Sequence, residues 1–592
     1  MPDRDATPSP ASPSGADAPP DAPSDGNAPP DADAQPGADA PDRTSAASTV
    51  AGGILLSRIT GLVRERVAAY FFGVGAHADV LQFAFRAPNL IQNLLGEGTI
   101  SAAFIPIYSR MIEDGRAREA GRFAGAIFGL LLAVAAGLVL LGIVAAEPLV
   151  TVLAPGWTDD AAQVAAGALP VDRFALAVQA LRLTFPMVGF LVLAAWTLGV
   201  LNSHRRFFLP YVAPALWNVA IISGLVGGAY GLAGPPWALS PDALAGGGLN
   251  ELLMAACWGG LAGGALQFLV QLPLVVRVLT GFRLSVSTAV DGVREAIRAS
   301  GPAIAGRGVA QISSYIDTIL ASLLAAGAFS ALRYALILYF LPISLFGMSV
   351  AASELPELAR LSDDRVRRFL TRLRGSIRQI LFLTIPTVVG YLAFGFLIVG
   401  ALLRTGSFSL TGNWLVYFVL GGYSLGLAAT TVSRLLQNAF YALNDTKTPA
   451  KIAVLRVSVS AALALPLMFA LDRIAVDAVV GVAPAEATLY LGAVGLGLGA
   501  TGGAWVELWR LHAVLHRRVD DFALPWGAAA QMTGLALGAA VPAAALWLVL
   551  PGWHVILQTA AVVGVYAGAY LAMARALGRP ELAAWTGRLR GG

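Results

Sequence analysis

The chain has 592 residues, of which 57% are hydrophobic and only 13% charged, with a mean hydropathy of +0.69 and 65 glycines. A soluble globular chain of this length does not have that profile, so the composition predicts an all-α polytopic membrane protein. The single cysteine, Cys257, excludes an intrachain disulfide framework and a Cys-based metal site, and the net charge of +4 divides unevenly along the chain.

Residues 1–43 hold 11 of the 34 prolines, nine aspartates against two arginines, and no Leu, Ile, Val or Phe. Such a segment cannot bury a core and is expected to be a disordered acidic tail; lacking an apolar stretch after a basic start, it does not read as a signal peptide. Its charge of −7 leaves the other 549 residues at +11. From Ala46 onward, apolar segments long enough to cross ~30 Å of hydrocarbon recur to the C-terminus. Fourteen spans are expected, over 46–73, 79–108, 123–146, 175–201, 207–230, 251–276, 299–327, 329–357, 379–403, 413–442, 450–471, 486–509, 525–550 and 553–574. Landmarks recur at a separation of about 240–250 residues, Pro106 and Arg110 against Pro356 and Arg360, and Asn202 against Asn444. A parallel repeat explains them, with a tail at 1–43, six-helix lobes at 44–280 and 290–518, a last helix pair at 522–578 and a C-terminal tail at 579–592. With the N-terminus inside, 28 of the 40 Lys and Arg residues fall on its side of the membrane, three (Arg173, Arg404, Arg473) on the other, and nine within spans. Positive loops stay in the cytoplasm, so both termini are expected there.

The segment from Ser57 to Gly98 is apolar enough to lie in a bilayer yet carries Arg58, Arg64, Glu65, Arg66, Asp79, Arg86 and Glu97. Insertion scales put such charges at roughly 2.5–3.5 kcal/mol each. On a helix from Ala46, Glu65 lies two turns from Arg58 on nearly the same face, with Arg64 and Arg66 at its flanks. The seventh and eighth spans add Arg307, Asp317 and Arg333, so both lobes bring charge to their first two helices. One reading is a set of salt bridges that only hold helices together; because acids are fewer than bases, a shared cavity with an arginine excess is the more economical one. Guanidinium groups donate paired hydrogen bonds to phosphate oxygens, so such a cavity suits a phosphorylated substrate.

Other motifs yield less. Gly497, Gly499 and Gly502 form a GxGxxG inside a transmembrane span with no strand before it, which predicts close helix packing, as do Gly259/Gly260 and Gly263/Gly264. His512 and His516 lack an intervening glutamate and a third ligand for zinc. Of the acidic pairs, Asp363/Asp364 precede a basic helical run as a cap would, and Asp159/Asp160 and Asp520/Asp521 sit in loops on opposite sides, so no catalytic pair is expected.

The elements SRITGLVRE (57–65), FGVGAHADVLQFAFRAPNL (72–90), EGTISAAFIPIYS (97–109), LRLTFP (181–186), LNSHRRFFLP (201–210), GPAIAGRGVAQISSYIDTILAS (301–322) and NDTKTPAKIA (444–453) resemble the MurJ (MviN) lipid II flippases of the multidrug/oligosaccharidyl-lipid/polysaccharide exporter superfamily. The resemblance implies fourteen helices, two six-helix lobes around a cationic cavity, and a last helix pair forming a groove for a polyprenyl tail. It implies a transporter, not an enzyme, in the bacterial cytoplasmic membrane. Its substrate would be lipid II, the undecaprenyl-pyrophosphate-linked peptidoglycan precursor, carried to the outer leaflet by alternating access. The implied partners are lipid II or a related polyprenyl-linked glycan, membrane lipids and the cell-wall synthesis machinery, with no nucleic acid.

By the family's motif, Arg58 and Arg64 match cavity arginines that hold the pyrophosphate, and Asp79 and Glu97 match acidic positions at the outer gate and the cavity. The chain departs from the pattern at Gln92 and Asn93, where many members carry two basic residues, and at Leu336 and Ile337, where many carry Asp-Arg. Arg307 and Arg333 are expected to replace the missing arginines, giving Arg58, Arg64, Glu97, Arg307 and Arg333 as substrate-binding residues and Glu65, Asp79, Arg86 and Asp317 as gate or ion-pairing residues. Some members bind sodium through an acid in the seventh helix with Asn and Asp in the eleventh. Asp317 resembles the first ligand, but 457–469 offers only Ser458 and Ser460, which leaves sodium and the membrane potential as alternative energy sources and no cofactor. Three rival readings are a flippase for another glycan, a drug or cation exporter, and a membrane glycosyltransferase. An arginine-rich cavity is wrong for the exporter. The transferase would need a catalytic loop, and 147–174 holds no histidine and only Asp159/Asp160 as a carboxylate pair.

Overall fold

The computed structural model describes residues 40–95, 103–234, 244, 247–344, 363–443, 445–483, 488–518 and 522–582. Among these the chain forms helices and connecting turns, with one isolated antiparallel bridge between Ala475 and Tyr490 and no strand. Lipid supplies no hydrogen bonds, so a chain this apolar satisfies its backbone within helices.

The N-terminal half runs α1 (Ala40–Phe72), α2 (Ala76–Arg86), α3 (Asn89–Leu95), α4 (Ile105–Glu113), α5 (Ala117–Val144), α6 (Ala146–Leu153), α7 (Asp160–Ala165), α8 (Arg173–Ser203), α9 (Phe208–Ala233), α10 (Gly248–Leu269) and α11 (Leu272–Val278). The C-terminal half follows with α12 (Val293–Ser322), α13 (Ala328–Pro342), α14 (Asp363–Leu403), α15 (Leu410–Ser424), α16 (Leu427–Ala442), α17 (Lys447–Leu471), α18 (Val476–Val480), α19 (Gly492–Arg518), α20 (Trp526–Val549) and α21 (Val555–Ala576).

Among the described residues, eight helices are long and apolar enough to cross a membrane: α5, α8, α9, α10 continued through α11, α14, α17, α20 and α21. The pair α15 and α16, bent by 41°, makes a ninth. The other five expected spans are not single long apolar helices among the described residues. The second, expected over 79–108, is broken: Ala87 makes the last bond of α2, to the Phe83 carbonyl, and Pro88 cannot donate to continue it. The described part of the eighth, α13, is 15 residues long. The first and seventh, α1 and α12, carry the arginines and acids noted above, and the twelfth, α19, is rich in glycine and carries Glu507 and Arg510.

In the N-terminal half α8 packs on α2, α5 and α10, and α9 on α10. In the C-terminal half α19 packs on α15, α16 and α17, while α20 and α21 pair with each other against α14. The glycine motifs act as the sequence predicts. A Cβ on Gly499 would stand 2.6 Å from the Ala464 side chain, and one on Gly495 2.4 Å from the Met468 backbone nitrogen, so this face of α19 lies directly on α17. Gly259 and Gly263 give α10 the same closeness to α9.

Candidate functional site

Three groups of charged side chains lie between helices. The first closes the end of the bundle where α1 finishes. Asp79 of α2 is fully buried and accepts hydrogen bonds from the backbone N–H groups of Gly327 and Ser330, 2.7 Å each, at the N-terminus of α13. A carboxylate there complements the free amides and positive dipole end of α13, so a residue of one half caps a helix of the other. Behind it Arg173 stands 3.6 Å from Asp79, donates to both carboxylate oxygens of Asp160 at 2.6 and 2.9 Å, and lies over the Trp157 ring.

Around this clasp the two halves touch through backbone. The Ser407 amide donates to the Tyr70 carbonyl at 2.8 Å, and Arg66 donates to the carbonyls of Ala401 and Leu402 at 2.5 and 2.9 Å, where the end of α14 leaves acceptors unpaired. Gly73 and Gly406 have positive φ, and a Cβ on either would lie 2.3 Å from a carbonyl oxygen of the opposing segment, Ser407 or Tyr70. Glycine is therefore required on both sides of this contact.

The second group lies at mid-bundle. Arg64 pairs with Glu65, donates to Asn218 of α9 at 3.0 Å and lies over the Trp217 ring at 4.9 Å, while Glu65, 5% exposed, accepts from Gln82 of α2 at 2.7 Å. Arg86 crosses to α12, donating to the Thr318 hydroxyl at 3.2 Å and lying over the Tyr315 ring. Arg333 of α13 feels the charges of Arg86, Glu65 and Arg64. Its Nε is fully buried with no hydrogen-bond partner, and no acid among the described residues forms an ion pair with it. The charges acting on Arg333 are thus two guanidinium groups, Arg86 and Arg64, and one carboxylate, Glu65.

The third group lies within the C-terminal half. Glu507 of α19, 1% exposed, accepts from Arg456 of α17 and Gln437 of α16, both at 2.8 Å. The positive charges acting on Asp317 of α12 are Arg86 and Arg456.

Of the residues singled out from sequence, Arg64, Glu65, Arg86 and Arg333 are thus brought together, Asp79 stands apart in the clasp, and Asp317 lies between the second and third groups. Arg58 is exposed and donates to Ser344 at 2.9 Å, a bond between the two halves. Glu97 lies outside the described residues; Arg307 belongs to α12, and its side chain lies outside them too. Sequence reasoning missed Arg173, read as a loop residue, and Asp160, discounted with Asp159. It also left Arg456 and Glu507 unused, although an intramembrane Arg and Glu on adjacent apolar segments are themselves a signal.

His512 and His516 stack at 5.9 Å, but His516 Nδ1 meets the Phe522 carbonyl, and no group of three His, Cys, Asp or Glu that could hold a metal occurs among the described residues. A separate apolar groove of about 660 Å³ runs between α14, α16, α19 and α20, lined by Ile377, Leu381, Val432, Leu508, Trp526 and Leu537 among others.

A multi-pass helical protein with ionisable groups buried between its helices has the architecture of a membrane transporter. Its backbone resembles a solved structure described as "Lipid II flippase MurJ, inward closed conformation", with a TM-score of 0.65 at 21% identity over 90% of this chain and 99% of that one. An inward-facing MATE-family transporter of the MOP superfamily shares the fold at a TM-score of 0.54 and 15% identity, over 78% of this chain and 94% of that one. Residues 68–570 match the family profile described as "Lipid II flippase MurJ". A probable lipid II flippase MurJ from Rhizobium tropici is 32% identical over 517 residues, 86% of this chain and 87% of its own length. The lipid II flippase MurJ of Burkholderia cenocepacia is 33% identical over 414 residues, 69% and 75% of the two chains. The chain belongs to the lipid II flippase MurJ family.

Proposed function

We propose that this protein carries lipid II from the inner to the outer leaflet of a bacterial cytoplasmic membrane by alternating access, with its termini in the cytoplasm. The observation that carries this reading is the mid-bundle excess of guanidinium: Arg64 is tied to Glu65 and Asn218, Arg86 to Thr318, and Arg333 is left with a buried, unpartnered Nε. A buried cation without an acid is costly, and an incoming diphosphate supplies the missing negative charge and the acceptors that a guanidinium fork matches.

In this orientation the clasp at Asp79, Tyr70 and Ser407 is a closed external gate, and the substrate head enters from the cytoplasmic side, where Arg58 stands exposed beside Ser344. The polyprenyl chain stays in lipid, and the apolar groove between α14 and α20 has the chemistry to hold it. Neutralised by arginines, the head crosses without an isolated charge in low dielectric. The empty, positively charged cavity is then drawn back by the membrane potential, at about 2.3 kcal/mol per charge per 100 mV.

The test is lipid II accessibility at the outer leaflet of bacteria depleted of their own flippase. The unaltered protein should restore it, and an equally abundant Arg333→Ala variant should not. Arg333 breaks no ion pair when removed, so unchanged transport by the variant would exclude it from substrate binding. Failure of the well-folded unaltered protein would refute lipid II as substrate.

A further inference from the structure

The family resemblance raises sodium at Asp317, and the described residues around that carboxylate do not fit it. A small hard cation needs several oxygen ligands, and like charges nearby oppose it. The Thr318 hydroxyl, next to Asp317, already accepts from Arg86, whose guanidinium also lies over the Tyr315 ring of the same helix. On α17 the side that meets α19 presents Arg456 and Ser460, and the Ser460 hydroxyl oxygen would lie 1.9 Å from a Cβ on Gly503, packed directly against α19. Among the described residues, the positive charges that act on Asp317 are Arg86 from the N-terminal half and Arg456 from the C-terminal half, and the Tyr423 hydroxyl of α15, on which Asp317 acts in turn, is buried and unpartnered.

Arg456 is well placed to serve two acids. It is fixed by its 2.8 Å bond to Glu507, which Gln437 also holds, and its charge acts on Asp317 as well, after that of Arg86. Arg434 of α16 adds positive charge near Glu507, and Tyr339 of α13 completes this polar region through its 3.1 Å bond to Thr430. The region is thus balanced by groups that belong to the chain.

We propose that Arg456 is the resident counter-cation of the Asp317–Glu507 region, so that the protein keeps these carboxylates charge-balanced without binding sodium. The cation is tethered to α17 and cannot be exchanged with solvent. A cycle built on it draws on the membrane potential and the substrate's own charge, and not on a sodium gradient. The inference concerns ion binding alone and stands whether or not lipid II is the substrate.

The experiment measures the thermal midpoint of the purified full-length protein in sodium chloride and in choline chloride at equal ionic strength. The unaltered protein should show the same midpoint in both. Arg456→Gln exposes two carboxylates to a vacated position and should gain a sodium-specific rise that grows with the logarithm of sodium concentration, as mass action requires. Adding Asp317→Asn to that variant should abolish the rise. A sodium-specific rise in the unaltered protein that Asp317→Asn removes would overturn the proposal, and so would a folded Arg456→Gln protein indifferent to sodium. If Arg456→Gln does not fold, the comparison of the unaltered protein with Asp317→Asn still decides.

Discussion

The clasp at Asp79 yields the most direct test of the proposed alternating access. Its carboxylate takes two backbone N–H groups at the start of α13, both at 2.7 Å, and faces Arg173 at 3.6 Å. Asp79→Asn keeps the size of the side chain but leaves one carbonyl oxygen where two charged oxygens accepted. One charge-assisted hydrogen bond is lost, at about 1.5–3 kcal/mol. Taking about 2 kcal/mol, the ratio of closed to open protein at this end falls roughly 30-fold. A minor open state populated at ~1% would rise to about a quarter of the molecules. Spin labels at Val152 on α6 and Val479 on α18, 64% and 53% exposed on the two halves, read the separation by pulsed dipolar spectroscopy. The only cysteine of the chain, Cys257, is fully buried, so the two introduced thiols label selectively. The variant should raise a longer-distance population that is only minor in the unaltered protein. An unchanged distance distribution in a folded Asp79→Asn protein would show that this carboxylate does not hold the halves together.

Behind the clasp, Asp160→Asn breaks the buried pair with Arg173 and should destabilise the protein by about 3–5 kcal/mol, lowering the thermal midpoint in detergent. Arg116→Gln, at the exposed pair with Glu119 and Asp291, should leave the midpoint unchanged; equal losses from both would refute the ranking by burial. Asp445 lies in the turn before α17, where hydrogen bonds from the Thr448 side chain and amide, with Arg518 2.6 Å away, hold its carboxyl down to about 2 from an ordinary 3.8. A depressed carboxyl stabilises above its unfolded value, so the advantage over Asp445→Asn should be full at neutral pH and fade as pH falls from about 4 toward 2. Midpoints of the two proteins that differ by the same amount across that range would contradict this assignment.

What the sequence made legible was local. The excess of apolar segments, the glycine faces of α10 and α19, and the presence of charges in α1 all depend on residues within a few turns of one another. The glycine patterns in particular state their own requirement, since a neighbouring backbone approaches closely only where no Cβ intervenes. Breaks were less legible: Pro88 divides the second span, whereas Pro186 sits inside an unbroken α8. The difference lies in neighbours that hold the helix together, which a single segment does not encode. Arg173 was read as a loop residue because it starts a helix, yet the short α7 places Asp160 within its reach.

Partners of charges were the least legible feature, because they depend on how helices cross. The charged residues of α1 illustrate this: Arg58 reaches Ser344, Arg64 reaches Asn218, Glu65 meets Gln82, and Arg66 is used on the end of α14. A helical period places these side chains around a cylinder but does not say what stands opposite each one. The consequence is functional. Arg66 and Arg333 look alike as single arginines in apolar sequence, but the carbonyls of Ala401 and Leu402 occupy the first, and the second has a buried Nε with no acceptor. An arginine already satisfied by the fold would have to break bonds to receive a substrate, whereas an unsatisfied one gains them. Under the proposed function, Arg333 is therefore expected to contribute more to binding an anionic substrate than Arg58 or Arg64, which carry the stronger sequence resemblance.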